Sequence, residues 1–239
     1  MTGTIVNAAA IVAGGTVGLF AKQAIRPRIE EAVHQACGLA VIVIGLNGII
    51  SNMFTVREGG VIGSSGELLL VFSMVIGVIA GELLDIDARL NSLGSFVEER
   101  FHLTGFAASF VNGTLIYCVG AMAIVGSIGD GLRGDASVLF TKSVLDGITS
   151  IVLAATMGPG VIFSALPVFL YQGALTLLAG LLEPVLQGEL LRQICAVGYT
   201  LVACIGVNFM SERFRIKVAN YLPALLVPAV WAAVRSLMA

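Results

Sequence analysis

Apolar residues along this chain run in stretches of about twenty separated by short polar connections, the length a helix needs to cross the ~30 Å hydrocarbon core of a bilayer. These stretches lie near 4–21, 32–50, 67–84, 104–127, 137–157, 160–182, 193–210 and 221–238. The pattern predicts an all-α polytopic membrane protein of about eight transmembrane helices, a single transmembrane domain over 1–239. One boundary carries no polar loop. As one straight helix, 138–182 would extend ~67 Å, more than twice the core, so the chain must turn, and Gly158-Pro159-Gly160 supplies the helix break. Together with Pro167 it brackets the start of span six, as a tight turn plus an ordinary kink or as a broken-helix ion site. The connection 85–103, with Asp85, Asp87, Arg89, Glu98, Glu99 and Arg100, reads as an amphipathic helix at the interface or as a solvated linker.

Composition agrees with a bilayer setting. Hydrophobic residues make up 57% of the chain and charged ones 12%, against about 25% charged in soluble domains, and the mean hydropathy is +0.98. A net charge of -2 without a basic run excludes nucleic acid as a partner. Cys37, Cys118, Cys195 and Cys204 lie in apolar stretches without Cys-x-x-Cys spacing, and His34 and His102 have no companion ligands, so no metal site and no cofactor is expected. No Lys or Arg precedes Lys22, so the first stretch reads as a span and not as a cleaved signal peptide.

Basic residues orient the spans, because cytoplasmic loops collect Lys and Arg. Lys22, Arg26, Arg28, Arg89, Arg100, Arg213, Arg215 and Lys217 fall on one side of an eight-span count, and Arg57, Arg133, Arg192 and Arg235 on the other. That asymmetry predicts both termini outside the cytoplasm.

The 29 glycines include Gly14, Gly15 and Gly18 in the first span and Gly113 and Gly120 in the fourth. Small residues let helices pack closely in lipid, where no hydrophobic force drives them together. A sequence echo pairs Pro27, Gln35, Cys37, Gly45 and Asn47 with Pro184, Gln193, Cys195, Gly206 and Asn208. Read as an inverted repeat, it relates units 1–84 and 160–239 around spans four and five, an arrangement that recurs in secondary transporters. Chance competes with that reading, since the spacings agree only with gaps.

Candidate chemistry centres on the fifth span, where Lys142, Asp146 and Thr149 share one helical face. Lys142 has a stem long enough to snorkel. Asp146, about 13 Å into the span at 1.5 Å per residue, must pair, stay protonated or meet water. A static Lys142–Asp146 pair is structural; one that exchanges a partner for a proton, ion or solute is a transport device. Asn47, Asn112, Tyr117, Gln172 and Asn208 are further polar residues in spans, each either an interhelical bond or part of a site. Asp130 and Arg133 in the glycine-rich turn after span four, and Glu82 near the end of span three, are gate or surface-pair candidates.

The stretches 113–132 (GTLIYCVGAMAIVGSIGDGL), 140–147 (FTKSVLDG) and 158–173 (GPGVIFSALPVFLYQG) resemble bacterial YdfK/YqgA-type integral membrane proteins, a likeness that extends over nearly the whole chain. The resemblance implies a multi-pass protein of the bacterial cytoplasmic membrane with an uncharacterised molecular function. It transfers no catalytic or binding residue.

The leading expectation is a transporter of an ion or small solute with Asp146 at its centre; the alternative is a membrane scaffold or sensor subunit without transport activity. An enzyme is not expected, because His-Glu-x-x-His, Gly-x-Ser-x-Gly and Walker signatures are missing and an aspartyl pair would need a second deep acid beside Asp146. The expected partners are the lipid bilayer and a small solute or ion, with a homo-oligomer left open.

Overall fold

A computed structural model describes residues 1–22, 27–56, 60, 62–101, 105–210 and 216–238. Arg26, Arg57, His102, Arg213 and Arg215 lie outside the described residues, as do the side chains of Arg28, His34 and Arg100. Among the described residues, seven helices are long and apolar enough to cross a membrane, and an eighth crossing follows if the bent pair described below counts as one span. The polytopic helical reading therefore holds.

The described chain packs as two compact units, 1–38 with 90–185, and 39–89 with 186–239. The echo between 1–84 and 160–239 is a pattern of sequence; the packing is drawn differently, each unit taking helices from both segments.

The first unit holds α1 (Thr2–Lys22), the start of α2 (Pro27–Met53), most of α4 (Ile86–Phe101), α5 (Phe106–Cys118), α6 (Ala121–Arg133), α7 (Ser137–Met157), α8 (Gly160–Phe163), α9 (Ala165–Leu177) and α10 (Ala179–Leu182). Its closest packing joins α1 to α7. Gly3 meets Leu139, Gly14 meets the backbone of Gly147, and Gly18 meets the backbone of Ile151, so the two helices run parallel. A Cβ at Gly14 or Gly18 would overlap a carbonyl oxygen of α7. Glycine is what permits this approach, and the dispersion gained along it substitutes for a hydrophobic driving force. Against the same face of α1, α8 and α9 run antiparallel, with Gly15 meeting Ile162 of α8 and Thr4 meeting Thr176 of α9.

Two sequence expectations are corrected here. Span four is not one helix over 104–127: α5 and α6 are separate and bent 61° apart at Val119–Gly120. Gly120, at φ 126°, adopts a conformation closed to most L side chains, which ends α5 without any proline. And Asp130 is not in a turn; it lies within α6, 6% exposed. By contrast, Gly158-Pro159-Gly160 does separate α7 from α8, with Gly158 at φ 105° and Gly160 seated against the backbone of α5 at Phe106. Phe106 and Phe163 fix that corner edge to face at 5.1 Å. The region 85–103 contains helix, α4.

The second unit holds the rest of α2, a two-stranded antiparallel ribbon of β1 (Phe54–Val56) and β2 (Ile62–Ser64), α3 (Glu67–Leu84), α11 (Gly188–Met210), a 3-10 segment (Val218–Leu226) and α12 (Val227–Met238). The ribbon was not legible as strand in so helical a chain. The last span begins as 3-10 helix because Pro223 and Pro228 remove backbone donors that a regular α-helix would use. Gly77 and Gly81 of α3 admit this segment to backbone contact.

Gly14→Ala places a methyl against the Gly147 carbonyl and is expected to destabilise the protein by about 1–3 kcal/mol through overpacking, lowering the unfolding midpoint in detergent. Gly173→Ala, whose nearest neighbour is the Met1 methyl at 3.4 Å, is the matched control and is expected to leave the midpoint nearly unchanged.

Candidate functional site

The buried face of α1 reads Gly3, Thr4, Asn7, Ile11, Gly14, Gly15, Gly18. Its second half is glycine and packs backbone to backbone; its first half is polar and faces a cluster of polar side chains. Facing it, α7 buries Leu139, Lys142, Ser143, Asp146 and Ser150 at the spacing of one helical stripe, and α9 buries Gln172 and Thr176.

Lys142 and Asp146 are 6% and 7% exposed and form a closed pair. The Lys142 ammonium lies 2.9 Å from Asp146 Oδ1 and 2.8 Å from Oδ2. Asn7 Nδ2 donates to Asp146 Oδ2 at 3.0 Å and to Gln172 Oε1 at 3.3 Å. Ser150 donates to the Asp146 carbonyl at 2.7 Å and meets the Tyr117 hydroxyl at 2.7 Å. Nearer the start of α1, Asp130 accepts the Gly3 amide at 3.1 Å and the Met1 amino group at 3.0 Å, while Thr4 and Thr176 share a hydroxyl contact at 3.5 Å.

The amide orientations in this cluster are dictated by their neighbours. Asn7 must turn its NH2 group to the Asp146 carboxylate, and Gln172 must then turn its oxygen to that same NH2 group. Asn7 Oδ1 and Gln172 Nε2 are left over, an acceptor and a donor on two fully buried side chains, both unpaired. Such groups cost about 1–3 kcal/mol each when unsatisfied. A purely structural brace would be expected to avoid them.

The sequence-selected residues divide as follows. Lys142, Asp146, Gln172 and Tyr117 are brought together. Thr149 is not: its hydroxyl bonds Leu145 O at 2.7 Å on its own helix, and Ser150 takes the inward position. Asn112 is half-buried on α5, and no bond among the described residues ties it to the cluster. Asn47 is exposed in the second unit. Asn208, also there, clamps Ile216 through two 2.8 Å bonds, a brace for the backbone just before the 3-10 segment. Of the gate candidates, Asp130 joins the buried network, Arg133 reaches Glu183 at 3.9 Å at the surface, and Glu82 pairs with Lys217 at 3.6 Å, both half-exposed, in the second unit. Asp130 is therefore a second buried acid, placed at the first residues of α1 and not beside Asp146.

Sequence reasoning missed Asn7, Thr4, Thr176 and Ser150. The signal for the first two was available: Thr4 and Asn7 lie three apart on the glycine face of α1, and that face was read for its glycines alone. No group of three or more His, Cys, Asp or Glu suited to a metal occurs among the described residues.

Comparison with known proteins agrees with a membrane protein of unassigned activity. The family described as "Protein of unknown function (DUF554)" matches residues 2–233. "Uncharacterized membrane protein YdfK" of Bacillus subtilis (strain 168) is 32% identical over 230 residues, covering 96% of this chain and 95% of that protein. "Uncharacterized protein YqgA" of Escherichia coli (strain K12) is 25% identical over 242 residues, covering 97% of each. No solved structure matches. With nearly its full length inside the family match and a relative of the same extent above 30% identity, this chain belongs to the DUF554 family.

Proposed function

We propose that this protein is a multi-pass transporter of the bacterial cytoplasmic membrane, moving an ion or small solute past the Lys142–Asp146 pair, whose two charges are in direct contact. One observation carries the reading: a full charge pair at the depth of hydrocarbon is ringed by polar side chains from α1, α7 and α9, of which Asn7 and Gln172 retain unpaired atoms. Ionisable residues inside spans are costly and commonly mark solute and proton paths. Parallel packing of α1 and α7 adds a topological argument. It requires an odd number of crossings between them, so with α2 and α3 each crossing once, α5 and α6 together make one more. Eight crossings put both termini on one side, outside the cytoplasm by the distribution of Lys and Arg.

A second reading, a scaffold or sensor subunit without transport, is favoured by one feature: the pair is i, i+4 on a single helix with both carboxylate oxygens engaged by Lys142. The two readings separate by mutation. In proteoliposomes screened for proton, ion and solute flux, the transporter loses most of its rate on Asp146→Asn; an unchanged rate removes Asp146 from the mechanism.

Stability gives an independent measurement. Asp146→Leu strands a buried ammonium and is expected to cost roughly 3–5 kcal/mol, whereas the double variant Lys142→Met/Asp146→Leu recovers most of that, because an apolar replacement of both charges removes their desolvation cost. Denaturant unfolding in detergent reads the difference. Recovery of stability with flux still absent identifies the pair as functional; recovery of both identifies it as structural.

A further inference from the structure

The break between α5 and α6 lies at the height of the buried charges. Contacts place these helices against α7 and against α8, which turns back alongside it: Phe106 beside Gly160, Gly113 beside Val161 and Ser164, Tyr117 bonded to Ser150, Gly126 against Leu139, and Asp130 on Gly3, itself packed against Leu139. The two ends of the pair are far apart: Phe106 lies at the turn after α7, and Asp130 at the start of α1. The pair α5–α6 thus traverses the first unit from end to end and does not double back, a discontinuous span and not a re-entrant loop. Tyr117, just before the break, meets Ser150, and Gly126, just after it, meets Leu139. Val119–Gly120 therefore sits beside the intervening turns of α7, which carry Lys142 and Asp146.

A broken helix inside a membrane leaves carbonyls free at one half-helix end and N–H groups free at the other, and is tolerated where protein or water shields them from lipid. Here the free carbonyls end α5 and the free N–H groups begin α6, which is 13 residues long. The site consequently presents both polarities. On the positive side stand the Lys142 ammonium, the start of α6 and the unpaired Gln172 Nε2; on the negative side, the Asp146 carboxylate, the end of α5 and the unpaired Asn7 Oδ1. Gln172 and Asn7 are 0% exposed. Two more unpaired hydroxyls, Thr114 on α5 and Ser127 on α6, flank the break.

We infer that the break at Val119–Gly120 completes a binding site with Lys142, Asp146, Asn7 and Gln172, and that its ligand is a small net-neutral dipolar solute, a zwitterion of the amino-acid type. This deepens the transport reading and rests on it. The charge balance selects the ligand. Lys142 and Asp146 cancel, so a bare cation or anion would leave one uncompensated charge in a low-dielectric site, at high cost. A zwitterion brings its own compensating pair: its ammonium takes the place of the Lys142 ammonium on Asp146, its carboxylate takes the ammonium that is released, and the site stays neutral throughout.

Cys118 ends α5 and reports on the break directly. With Cys37, Cys195 and Cys204 replaced by alanine, the protein in liposomes is treated with a charged, membrane-impermeant methanethiosulfonate, and a Gln172→Cys variant lacking all native cysteines serves as a second position should Cys118 face lipid. Labelling at either position is expected, and a panel of the twenty common amino acids and betaine is expected to contain members that slow it several-fold, while sodium chloride, choline chloride and potassium acetate at equal concentration do not. Absence of labelling at both positions overturns the hydrated site. Labelling slowed only by the salts, or by nothing in the panel, overturns the dipolar ligand. Neither readout needs flux, so a labelled and protected site in a protein that moves no solute would reject the transport reading and leave the binding site standing.

Discussion

Hydrocarbon offers no water to a charge or to a free backbone group, so each must find its match inside the protein. The ion pair of Lys142 and Asp146 is where that requirement is most demanding, and the organisation of the first unit follows from meeting it. The carboxylate needs a donor besides the ammonium, which fixes Asn7; the Asn7 amide needs an acceptor for its second proton, which fixes Gln172. Three helices are tied together by one acid. The requirement is met almost completely, with Asn7 Oδ1 and Gln172 Nε2 left over.

Close packing makes the polar cluster reachable. Asn has a short side chain, and α1 can bring it to Asp146 only because the glycines further along the same face allow backbone contact with α7. The buried face of α1 is thus divided along its length: Gly14, Gly15 and Gly18 form a tight seam, and Gly3, Thr4 and Asn7 a polar one. A seam of glycine against backbone has few ways to rearrange, since steric overlap is steep, whereas hydrogen bonds among Thr4, Asn7, Gln172 and Thr176 can exchange partners at little cost. Rigidity and adaptability therefore sit on one helix, a turn or two apart.

The second unit solves the same problem without a buried charge pair. Its ion pair between Glu82 and Lys217 stays half-exposed, where such pairs contribute little. Of its buried polar side chains, Asn220 accepts the Asp87 amide at 2.7 Å while its own Nδ2 stays unpaired, and Asn208 braces the backbone at Ile216. Asparagine here secures irregular backbone near the 3-10 segment, while in the first unit it serves an acid. The same residue type carries different roles, and neither role is visible in the residue alone.

The chain's hydropathy determined the membrane setting, the helical class and most span positions, because a run of about twenty apolar residues has one stable form in lipid whatever packs against it. Asp146 and Lys142 were legible for the same reason: the cost of burying charge depends on depth, which can be counted along a sequence. What surrounds them was decided only in three dimensions. Asn7 lies 139 positions from Asp146 and Gln172 lies 165 from Asn7, and no local pattern links such residues. Thr149 and Ser150 differ by one position, and which of them faces inward depends on the rotation of α7 against α1, set by glycine contacts. The break at Val119–Gly120 stayed hidden because a glycine inside an apolar stretch is compatible with continuous helix, and the positive φ that ends α5 is chosen by packing. Asp130 carried a misleading local signal, since glycines around an acid suggest a turn; buried in α6 against the first residues of α1, it finds donors there that only the folded chain supplies.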